Sequence, residues 1–209
     1  MSEFANEKLF SSYGLKHQSI SESPAVIHNG INAILLYKVR SNWARLSSLL
    51  NQIDKFYPCI GVGFAGSLSE DDTRGQYIAP IAATNGKNVG GAAGITDTKL
   101  TEKIVELLSE STVSYGKVYT VNDIVDENKQ LIEKLVSENY TGVDMETSFF
   151  LSYLNEKKIP CTAILVVSDN IRLSPLDPKN KGGNLPLNGK TIISAQKAII
   201  AACRSLLEN

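Results

Sequence analysis

Ile159-Pro-Cys-Thr-Ala-Ile-Leu-Val-Val-Ser-Asp-Asn170 is a continuous apolar run of strand length that ends abruptly in polar residues. A run without alternating apolar and polar side chains is typical of a strand buried on both faces of a sheet. In open α/β sheets, ligands bind just beyond the carboxyl ends of such strands. The run therefore favours an α/β fold and predicts that Asp169 borders a ligand crevice.

A predicted strand-to-helix junction lies shortly before this run. Thr141 to Val143 should end an extended segment, and the Asp144 carboxylate can cap the next helix by accepting hydrogen bonds from its open amides. Glu146 then falls in the first helical turn. It is either a surface glutamate favoured by the helix dipole or a functional carboxylate that faces the same crevice as Asp169. The predicted apolar face of this helix comprises Met145, Phe149, Phe150, Tyr153 and Leu154.

These two segments carry a resemblance to a known family. Val143-Asp-Met-Glu-Thr-Ser148, followed by Val167-Ser-Asp169, resembles the signature of the purine nucleoside phosphorylase and uridine phosphorylase superfamily. That superfamily also includes the methylthioadenosine and adenosylhomocysteine nucleosidases and AMP nucleosidase. The resemblance implies that Glu146 holds the ribose hydroxyls and that Met145 packs against the sugar. It also implies that Asp169 meets a purine base and protonates its ring nitrogen.

The chemistry of nucleoside cleavage fits these two carboxyl groups. The reaction passes through a ribosyl cation-like state, so an anionic carboxylate near the sugar and a proton donor near the base both help. Asp169 must therefore carry a proton to act as the acid, a state that burial favours. Ser168 and Asn170 flank Asp169 and are expected to help orient it at the substrate.

A glycine-rich turn is the second candidate element of the site. Glycines in Gly63-Phe-Ala-Gly-Ser-Leu68 would let the backbone approach a ligand closely, or would simply form a tight turn or bulge. The superfamily has a similar Gly-x-x-Gly-(Gly/Ser)-Leu turn that lines the base and sugar pocket. The resemblance therefore implies that Phe64, Ala65 and Gly66 line the pocket of this chain.

A third segment, Ser114-Tyr-Gly-Lys-Val-Tyr-Thr-Val-Asn-Asp-Ile124, resembles a superfamily strand whose end contributes to the base pocket. The family pattern is Gly-x-(Val/Ile)-x-(Thr/Ser)-x-Asp. Aligned in this way, Thr120 is implied to be a base-pocket residue, and Asn122 falls on the family's Asp. Ile124 takes the place of an aromatic residue that stacks on the ring in several members.

The resemblance leaves the nucleophile open. Phosphorylases of the superfamily hold phosphate with an arginine before the turn and a Ser or Thr within it, where this chain has Gly61 and Phe64. An aromatic ring cannot donate a hydrogen bond to phosphate, which favours hydrolysis. Arg40, Arg45 or Arg74 could instead supply a phosphate site. The nucleosidases activate water with a glutamate after a first strand, and the chain has no matching N-terminal motif.

The composition of the chain bears on its domain organisation and on its possible partners. The 209 residues, 43% of them hydrophobic, predict a single domain over 1–209, with residues 1–30 as a divergent or shortened N-terminus. The resemblance implies an α/β fold of three αβα layers around a central mixed β-sheet. A net charge of -1 without a basic cluster argues against nucleic acid as a partner. We expect no membrane span and no signal peptide, and hence a cytoplasmic location.

Neither a metal site nor a cofactor is predicted, apart from inorganic phosphate as co-substrate of a phosphorylase. Cys59, Cys161 and Cys203 are far apart and odd in number, so buried free thiols are expected rather than a disulfide or metal ligands. His17 and His28 are the two histidines. Either could reach the ribose 5′-hydroxyl from a neighbouring subunit, as in some relatives, or have a structural role.

Further elements follow from local patterns. Two apolar runs separated by Asn29-Gly30 predict a β-hairpin, and apolar residues from Trp43 to Ile53 predict a helix. The segment 172–186 is predicted to be a long loop, and Gly90 to Gly94 a flexible one. A helix over 191–207 should close the chain, with an inward face of Ile193, Ala198, Ile199, Ala202 and Leu206.

The leading hypothesis is an enzyme that cleaves the N-glycosidic bond of a nucleoside, with a purine favoured by Asp169. Hydrolysis is slightly favoured over phosphorolysis, and the second enzyme hypothesis is a phosphorylase with phosphate ligands from elsewhere. The competing class is a nucleoside-binding member of the superfamily without turnover. The resemblance also implies a homo-oligomer, either a dimer or a hexamer.

Overall fold

The structure is a computed structural model that describes residues 7–18, 25–28, 33–36, 48, 57–86, 94–109, 111–123, 126–173 and 187–208. Its strands are β1 (Lys16–Gln18), β2 (Ala25–His28), β3 (Ala33–Leu36), β4 (Cys59–Ser67), β5 (Tyr77–Asn85), β6 (Gly94–Ile95), β7 (Val113–Thr120), β8 (Tyr140–Asp144) and β9 (Cys161–Asn170). Its helices are α1 (Glu7–Ser12), α2 (Thr98–Leu107), α3 (Lys129–Ser137), α4 (Thr147–Glu156) and α5 (Gly189–Leu207). The predictions for Asn29-Gly30, the helix at 43–53, Ile124 and most of the loop at 172–186 lie outside the described residues.

The described strands form two sheets. β1, β2 and β3 form a small antiparallel sheet, in which β2 and β3 make the predicted hairpin. The main sheet has the strand order β6-β5-β7-β8-β4-β9. Strands β5, β7 and β8 run parallel to one another, and β4 and β9 run parallel to each other. The two groups are antiparallel where β4 meets β8, so the sheet is mixed, as the resemblance implied.

An additional pairing curls the main sheet onto itself. β5 pairs with β9, with Tyr77 opposite Val166 and Ile78 opposite Leu165. This pairing joins β5, β7, β8, β4 and β9 into a ring, which the sequence patterns did not predict. It also explains why β9 is buried continuously from Cys161 to Val167, because helices cover it on both faces and strands flank it on both edges.

Helices cover both faces of the main sheet and give the predicted three layers. On one face, Leu151 and Leu154 of α4 pack against strand residues that include Ala65, Ile78, Val118 and Leu165. On the other face, α2 and α5 pack against Tyr77, Ala79, Ile164 and Val166. The Asp97 carboxylate caps α2 by accepting a hydrogen bond from the Leu100 amide at 2.9 Å, as the sequence indicated.

Three local predictions were wrong in detail. α4 begins at Thr147, so Glu146 is its N-cap residue, and the buried face comprises Thr147, Ser148, Leu151 and Leu154. Leu154 is buried as predicted, and Phe150 and Tyr153 pack partly buried against the core, whereas Met145 precedes the helix. Ile193 is 55% exposed, because buried alanines at 195, 198 and 201 hold α5 against the sheet. Gly94 begins β6 rather than ending a loop.

Two further expectations have structural outcomes. Cys59, Cys161 and Cys203 are free thiols, with Cys161 and Cys203 buried and Cys59 partly buried. None of the helices in the described ranges is long and apolar enough to cross a membrane.

Candidate active site

Gly66 marks the point where the two groups of strands meet. β4 and β8 overlap only at their carboxyl ends, where Gly66 lies opposite Val143. On its other side, β4 pairs with β9, and an irregularity in register brings Gly66 opposite Asp169. The strand ends that carry Asp144 and Asp169 therefore flank Gly66, about 10 Å apart at two inter-strand spacings. Because β4 and β8 run in opposite directions, the predicted segments that carry Glu146 and Asp169 come together on the two sides of Gly66.

Gly66 itself has no room for a side chain. A Cβ atom there would lie 2.6 Å from Cγ2 of Ile171, which is fully buried. The Ile171 amide donates a hydrogen bond to the Ser67 carbonyl at 3.1 Å, which folds the end of β9 over β4. Close packing against Ile171 is thus sufficient to explain the glycine at position 66.

Asp144 is the centre of a buried hydrogen-bond network. Its carboxylate accepts hydrogen bonds from the Thr120 hydroxyl at 2.7 Å and the Thr147 amide at 2.8 Å, and also from the Thr147 hydroxyl. The Thr120 hydroxyl in turn accepts a hydrogen bond from the Ser148 amide at 2.9 Å. Burial raises the pKa of Asp144, although these hydrogen bonds act to lower it. Thr120 therefore supports the start of α4, and its contact with a base stays a prediction.

Glu146 and Met145 are carried by the segment that this network holds. The Glu146 amide donates to the Asp144 carboxylate at 3.3 Å, and the Glu146 side chain is partly buried, with its Oε1 atom enclosed. Met145 packs beside the apolar cluster that contains Leu68 and Ile171. The backbone of both residues is thus fixed by Asp144, and their contacts with ribose stay predictions.

Asp169 is held by one neighbouring hydroxyl. The Ser168 Oγ atom donates to Asp169 Oδ1 at 2.5 Å, the orienting contact that the sequence suggested. The Asn170 amide group instead donates to the carbonyls of Ser69 at 2.7 Å and Asp72 at 3.1 Å. Asn170 thus ties the β4–β5 connection to β9, and its contact with substrate stays a prediction.

Glu127 is a buried carboxyl group that the sequence patterns did not single out. It lies between β7 and α3 with 8% of its surface exposed. Burial, together with the charges of Asp169 and Asp144, raises the pKa of Glu127 to about 7. In the sequence it stands between the polar residues Asp126 and Asn128, as a solvent-exposed acid would. No local signal distinguishes it, and only the folded chain brings it under the influence of the site.

The predicted pocket residues of β4 point to opposite faces of the sheet, since side chains alternate along a strand. Phe64 packs with the apolar cluster under α2 and α5. Ala65 is 3% exposed and belongs to the cluster under α4. Both side chains contribute to the packed layers beside the site, and their contacts with a nucleoside stay predictions.

Gly61, which the resemblance aligned with a phosphate-binding arginine, packs against an aromatic ring. A Cβ atom on Gly61 would lie 3.2 Å from Cε1 of Phe150 on α4. A side chain at position 61 would therefore require that ring to shift by a few tenths of an ångström. Arg74 is partly buried, and the Arg172 guanidinium pairs with Glu70 at 2.7 Å. Arg40 and Arg45 lie outside the described residues.

Other ligand-binding features lie away from Asp169. In the described part of the chain, no three His, Cys, Asp or Glu side chains are arranged to hold a metal ion. An open cavity of about 330 Å³, lined in part by Asp97, Asn155 and Cys161, lies at the amino end of β9. Asp169 lies near the carboxyl end of the same strand, so the cavity and the candidate site are separate.

Comparison with known proteins assigns the family. The family model described as the phosphorylase superfamily matches residues 59–205, which include the site segments of β4, β7, β8 and β9. The chain belongs to this superfamily. Its fold is that of nucleoside phosphorylases, although the sequences of the solved relatives have diverged.

Individual relatives are more distant. The chain is 29% identical over 121 residues to "Purine nucleoside phosphorylase DeoD-type" of Buchnera aphidicola subsp. Acyrthosiphon pisum (strain Tuc7), which covers 54% of this chain and 52% of that protein. The chain thus spans about half the length of the curated relatives that it matches.

Two solved structures share the fold. The P. knowlesi homolog of P. falciparum PNP has a TM-score of 0.71 at 14% identity, covering 96% of this chain and 84% of that chain. Purine nucleoside phosphorylase from Toxoplasma gondii in complex with immucillin-H has a TM-score of 0.71 at 17% identity, covering 96% and 86%.

Proposed function

We propose that this protein cleaves the N-glycosidic bond of a purine nucleoside, with water as the nucleophile. The observation that carries the proposal is the meeting of two carboxylate segments at Gly66, in a chain that belongs to the phosphorylase superfamily. One segment holds Asp169 and the other holds Glu146. Their separation across two strand spacings suits a substrate with a base at one end and a sugar at the other.

In the proposed reaction, Asp169 is the acid and Glu146 holds the ribose. As the bond between the anomeric carbon and the base nitrogen breaks, its electron pair moves to the base and Asp169 protonates a ring nitrogen. The ribosyl group gains positive charge, which the Glu146 carboxylate stabilises. Water then forms the new carbon–oxygen bond and releases its proton to solvent.

Hydrolysis is favoured by the surroundings of Gly61. Phosphate binding by an arginine at this position would require the Phe150 ring to move. Phe64 offers no hydroxyl, and its side chain contributes to the cluster under α2 and α5. The two positions therefore favour water over phosphate as the nucleophile.

A phosphorylase is the second candidate, because the curated relatives are described as purine nucleoside phosphorylases. Under this alternative, phosphate ligands would come from arginines such as Arg74 or Arg172, or from a partner subunit. Release of Arg172 from Glu70 would then be required.

Free-base release from a panel of purine and pyrimidine nucleosides, each with and without inorganic phosphate, tests the proposal. We expect purine release that does not depend on phosphate, with free ribose as co-product. Release that requires phosphate and yields ribose 1-phosphate would establish the second candidate. Thermal stabilisation by nucleosides without any release would instead identify a binding protein without turnover.

The Asp169→Asn variant tests the assigned acid. It keeps the size of the side chain but removes the transferable proton, so we expect turnover to fall by about 100-fold or more. Asp71→Asn, at an exposed position on the β4–β5 connection, is the matched control. Unchanged turnover by the Asp169 variant would remove the acid role from Asp169.

A further inference from the structure

Cys59 and Cys161 lie side by side at the beginnings of two parallel strands. Cys59 begins β4, Cys161 begins β9, and the two residues are paired in the register of these strands. The Cys59 amide donates a hydrogen bond to the Pro160 carbonyl at 2.9 Å, which fixes the register at its first pair. Cys161 belongs to the apolar cluster under α4 and Cys59 packs against it, so both side chains point to the same face of the sheet.

The next pair on this face shows how closely side chains from the two strands approach. Gly61 lies opposite Ala163, two residues after the cysteine pair, and the register is unbroken between the two pairs. A Cβ atom on Gly61 would lie 3.7 Å from Cβ of Ala163. Disulfides join residues whose Cβ atoms are about 3.5 to 4.5 Å apart and whose Cα atoms are about 4.4 to 6.8 Å apart. Since neighbouring strands are about 4.8 Å apart, the backbone at the cysteine pair suits a disulfide.

The two sulfur atoms are held only by weak hydrogen bonds. Cys59 Sγ donates to the Tyr57 carbonyl at 3.2 Å, and the Asn155 amide group donates to Cys161 Sγ at 3.4 Å. Thiols are weak donors and acceptors, and the same Asn155 nitrogen also donates to the Ile95 carbonyl at 3.1 Å. The two side chains can therefore rotate toward each other with little loss of hydrogen bonding.

The two thiols differ in their access to reagents. Cys59 is partly buried, whereas Cys161 is buried and lines the open cavity at the amino end of β9. Burial raises the pKa of Cys59 to about 11, and burial together with the charge of Cys59 raises the pKa of Cys161 to about 12. Both thiols are therefore protonated at neutral pH and react slowly, because the thiolate is the attacking form. Cys59 should react first, since it is the more accessible and has the lower pKa.

We propose that Cys59 and Cys161 form a reversible disulfide when the protein meets a low-molecular-weight disulfide, and that this bond staples together the beginnings of β4 and β9. The bond would close a loop that contains β5 to β8 and α2 to α4, so it restricts the unfolded chain and stabilises the folded one. The pair lies at the opposite ends of these strands from Asp169, and its oxidation is independent of the proposed function.

The exchange balances in two steps. The Cys59 thiolate attacks one sulfur of the small disulfide, whose S–S bond breaks and releases one small thiol. The Cys161 thiolate then attacks the Cys59 sulfur, so that the S–S bond of the protein forms and the second small thiol leaves. The two protein thiols are oxidised and the small disulfide is reduced, and the protons lost by the cysteines are taken up by the two departing thiolates.

Thiol mapping after incubation with oxidised glutathione at about pH 9, where more thiolate is present, tests the link. We expect a protein lighter by two hydrogen atoms, and a digest in which Cys59 and Cys161 are joined. Cys203 is the internal control, because burial raises its pKa to about 12 as well but it lies on α5, and it should stay free. A link through Cys203, a lasting glutathione adduct on Cys59, or three free thiols would each overturn the proposal.

A second test measures whether the bond acts as a staple. The linked protein should melt about 5 °C or more above the reduced protein, and excess dithiothreitol should remove the difference. Cys59→Ala, at a partly buried position, is the matched control and should show the same melting temperature with and without oxidised glutathione. Equal melting temperatures of the linked and reduced wild type would refute the staple, as would an equal rise in Cys59→Ala.

Discussion

The two sides of Gly66 hold their carboxyl groups in different ways. On the β8 side, the Asp144 carboxylate accepts hydrogen bonds from Thr120, Glu146 and Thr147. On the β9 side, Asp169 accepts a hydrogen bond from the Ser168 hydroxyl, and its charge contributes to the raised pKa of Glu127. The first arrangement fixes a backbone segment, and the second leaves the carboxyl group with fewer donors among the described residues.

This difference matches the two tasks of the proposed reaction. A group that holds ribose must keep its position. The hydrogen bonds that Asp144 accepts, including the one from the Glu146 amide, fix the backbone that carries Glu146. A group that gives up a proton must change its charge, and a carboxylate fixed by many donors would remain ionised. The firmly held segment at β8 and the less constrained carboxyl group at β9 are therefore complementary, and the predictions below perturb each side in turn.

The largest expected effect concerns Glu127 and the dependence of the protein's stability on pH. The pKa of Glu127 rises from its ordinary 4.5 to about 7 in the folded protein. Because the folded-state value is raised, its contribution to stability is complete below about 4.5 and is lost as pH rises through about 7. This range corresponds to roughly 3.5 kcal/mol of unfolding free energy, at about 1.4 kcal/mol for each pH unit.

Urea unfolding between pH 4.5 and 8 measures this contribution. Glu127→Gln should flatten the fall in unfolding free energy, because the amide does not titrate. Glu133→Gln, on the exposed face of α3, removes one carboxylate from a solvated position and is the control. The same slope in the wild type and Glu127→Gln would show that Glu127 titrates alike in both states of the chain.

Local sequence patterns predicted those features of the fold that depend on residues close together in the sequence. The unbroken apolar run of β9, the cap of α2 at Asp97 and the polar end of β9 at Asp169 all depend on nearby residues. The ring closure between β5 and β9 depends on pairing between distant segments, for which a single sequence has no periodic signal. The raised pKa of Glu127 likewise depends on charges from Asp144 and Asp169, which lie on strands distant from it in sequence.

Predictions at the site were limited for a related reason. The family resemblance selected Thr120 as a pocket residue, but in the structure its hydroxyl donates to Asp144 and accepts from Ser148. A motif indicates that a residue type is needed at a position. It does not indicate which neighbour receives its hydrogen bond, because that neighbour lies on another strand or helix.

The second-largest effect is expected when the hydrogen-bond network around Asp144, at the end of β8, is broken. Thr120→Val keeps the shape of the side chain but leaves the Ser148 amide and one Asp144 oxygen without their partner. We expect the unfolding free energy to fall by roughly 2 to 3 kcal/mol, since both groups are buried. Thr162→Val is the matched control, because the Thr101 hydroxyl that contacts Thr162 also has the Asp97 carbonyl as an acceptor. Equal losses in the two variants would mean that the Asp144 network is no more important than an ordinary buried hydroxyl pair.

A smaller effect is expected at the junction between the two sides. Gly66→Ala would place a methyl group 2.6 Å from Ile171 and force the end of β9 to move, at a cost of about 2 kcal/mol. Gly63→Ala, on the same strand, meets Leu165 at 3.4 Å and should be tolerated better. Thermal unfolding of both variants measures the difference. If Gly66→Ala were as stable as Gly63→Ala, the contact between Gly66 and Ile171 would not control how the strand ends meet.

The smallest effect is expected at the rim, where Arg172 pairs with Glu70. Both side chains are substantially exposed, so solvent screens the pair and Glu70→Gln should change the unfolding free energy by no more than about 0.5 kcal/mol. The variant also frees the Arg172 guanidinium, which would gain a role if phosphate binds here. If water is the nucleophile, phosphate should raise the melting temperature of Glu70→Gln no more than that of the wild type. Stronger stabilisation of the variant by phosphate would show that this arginine can hold the anion, and would favour the phosphorylase over the nucleosidase.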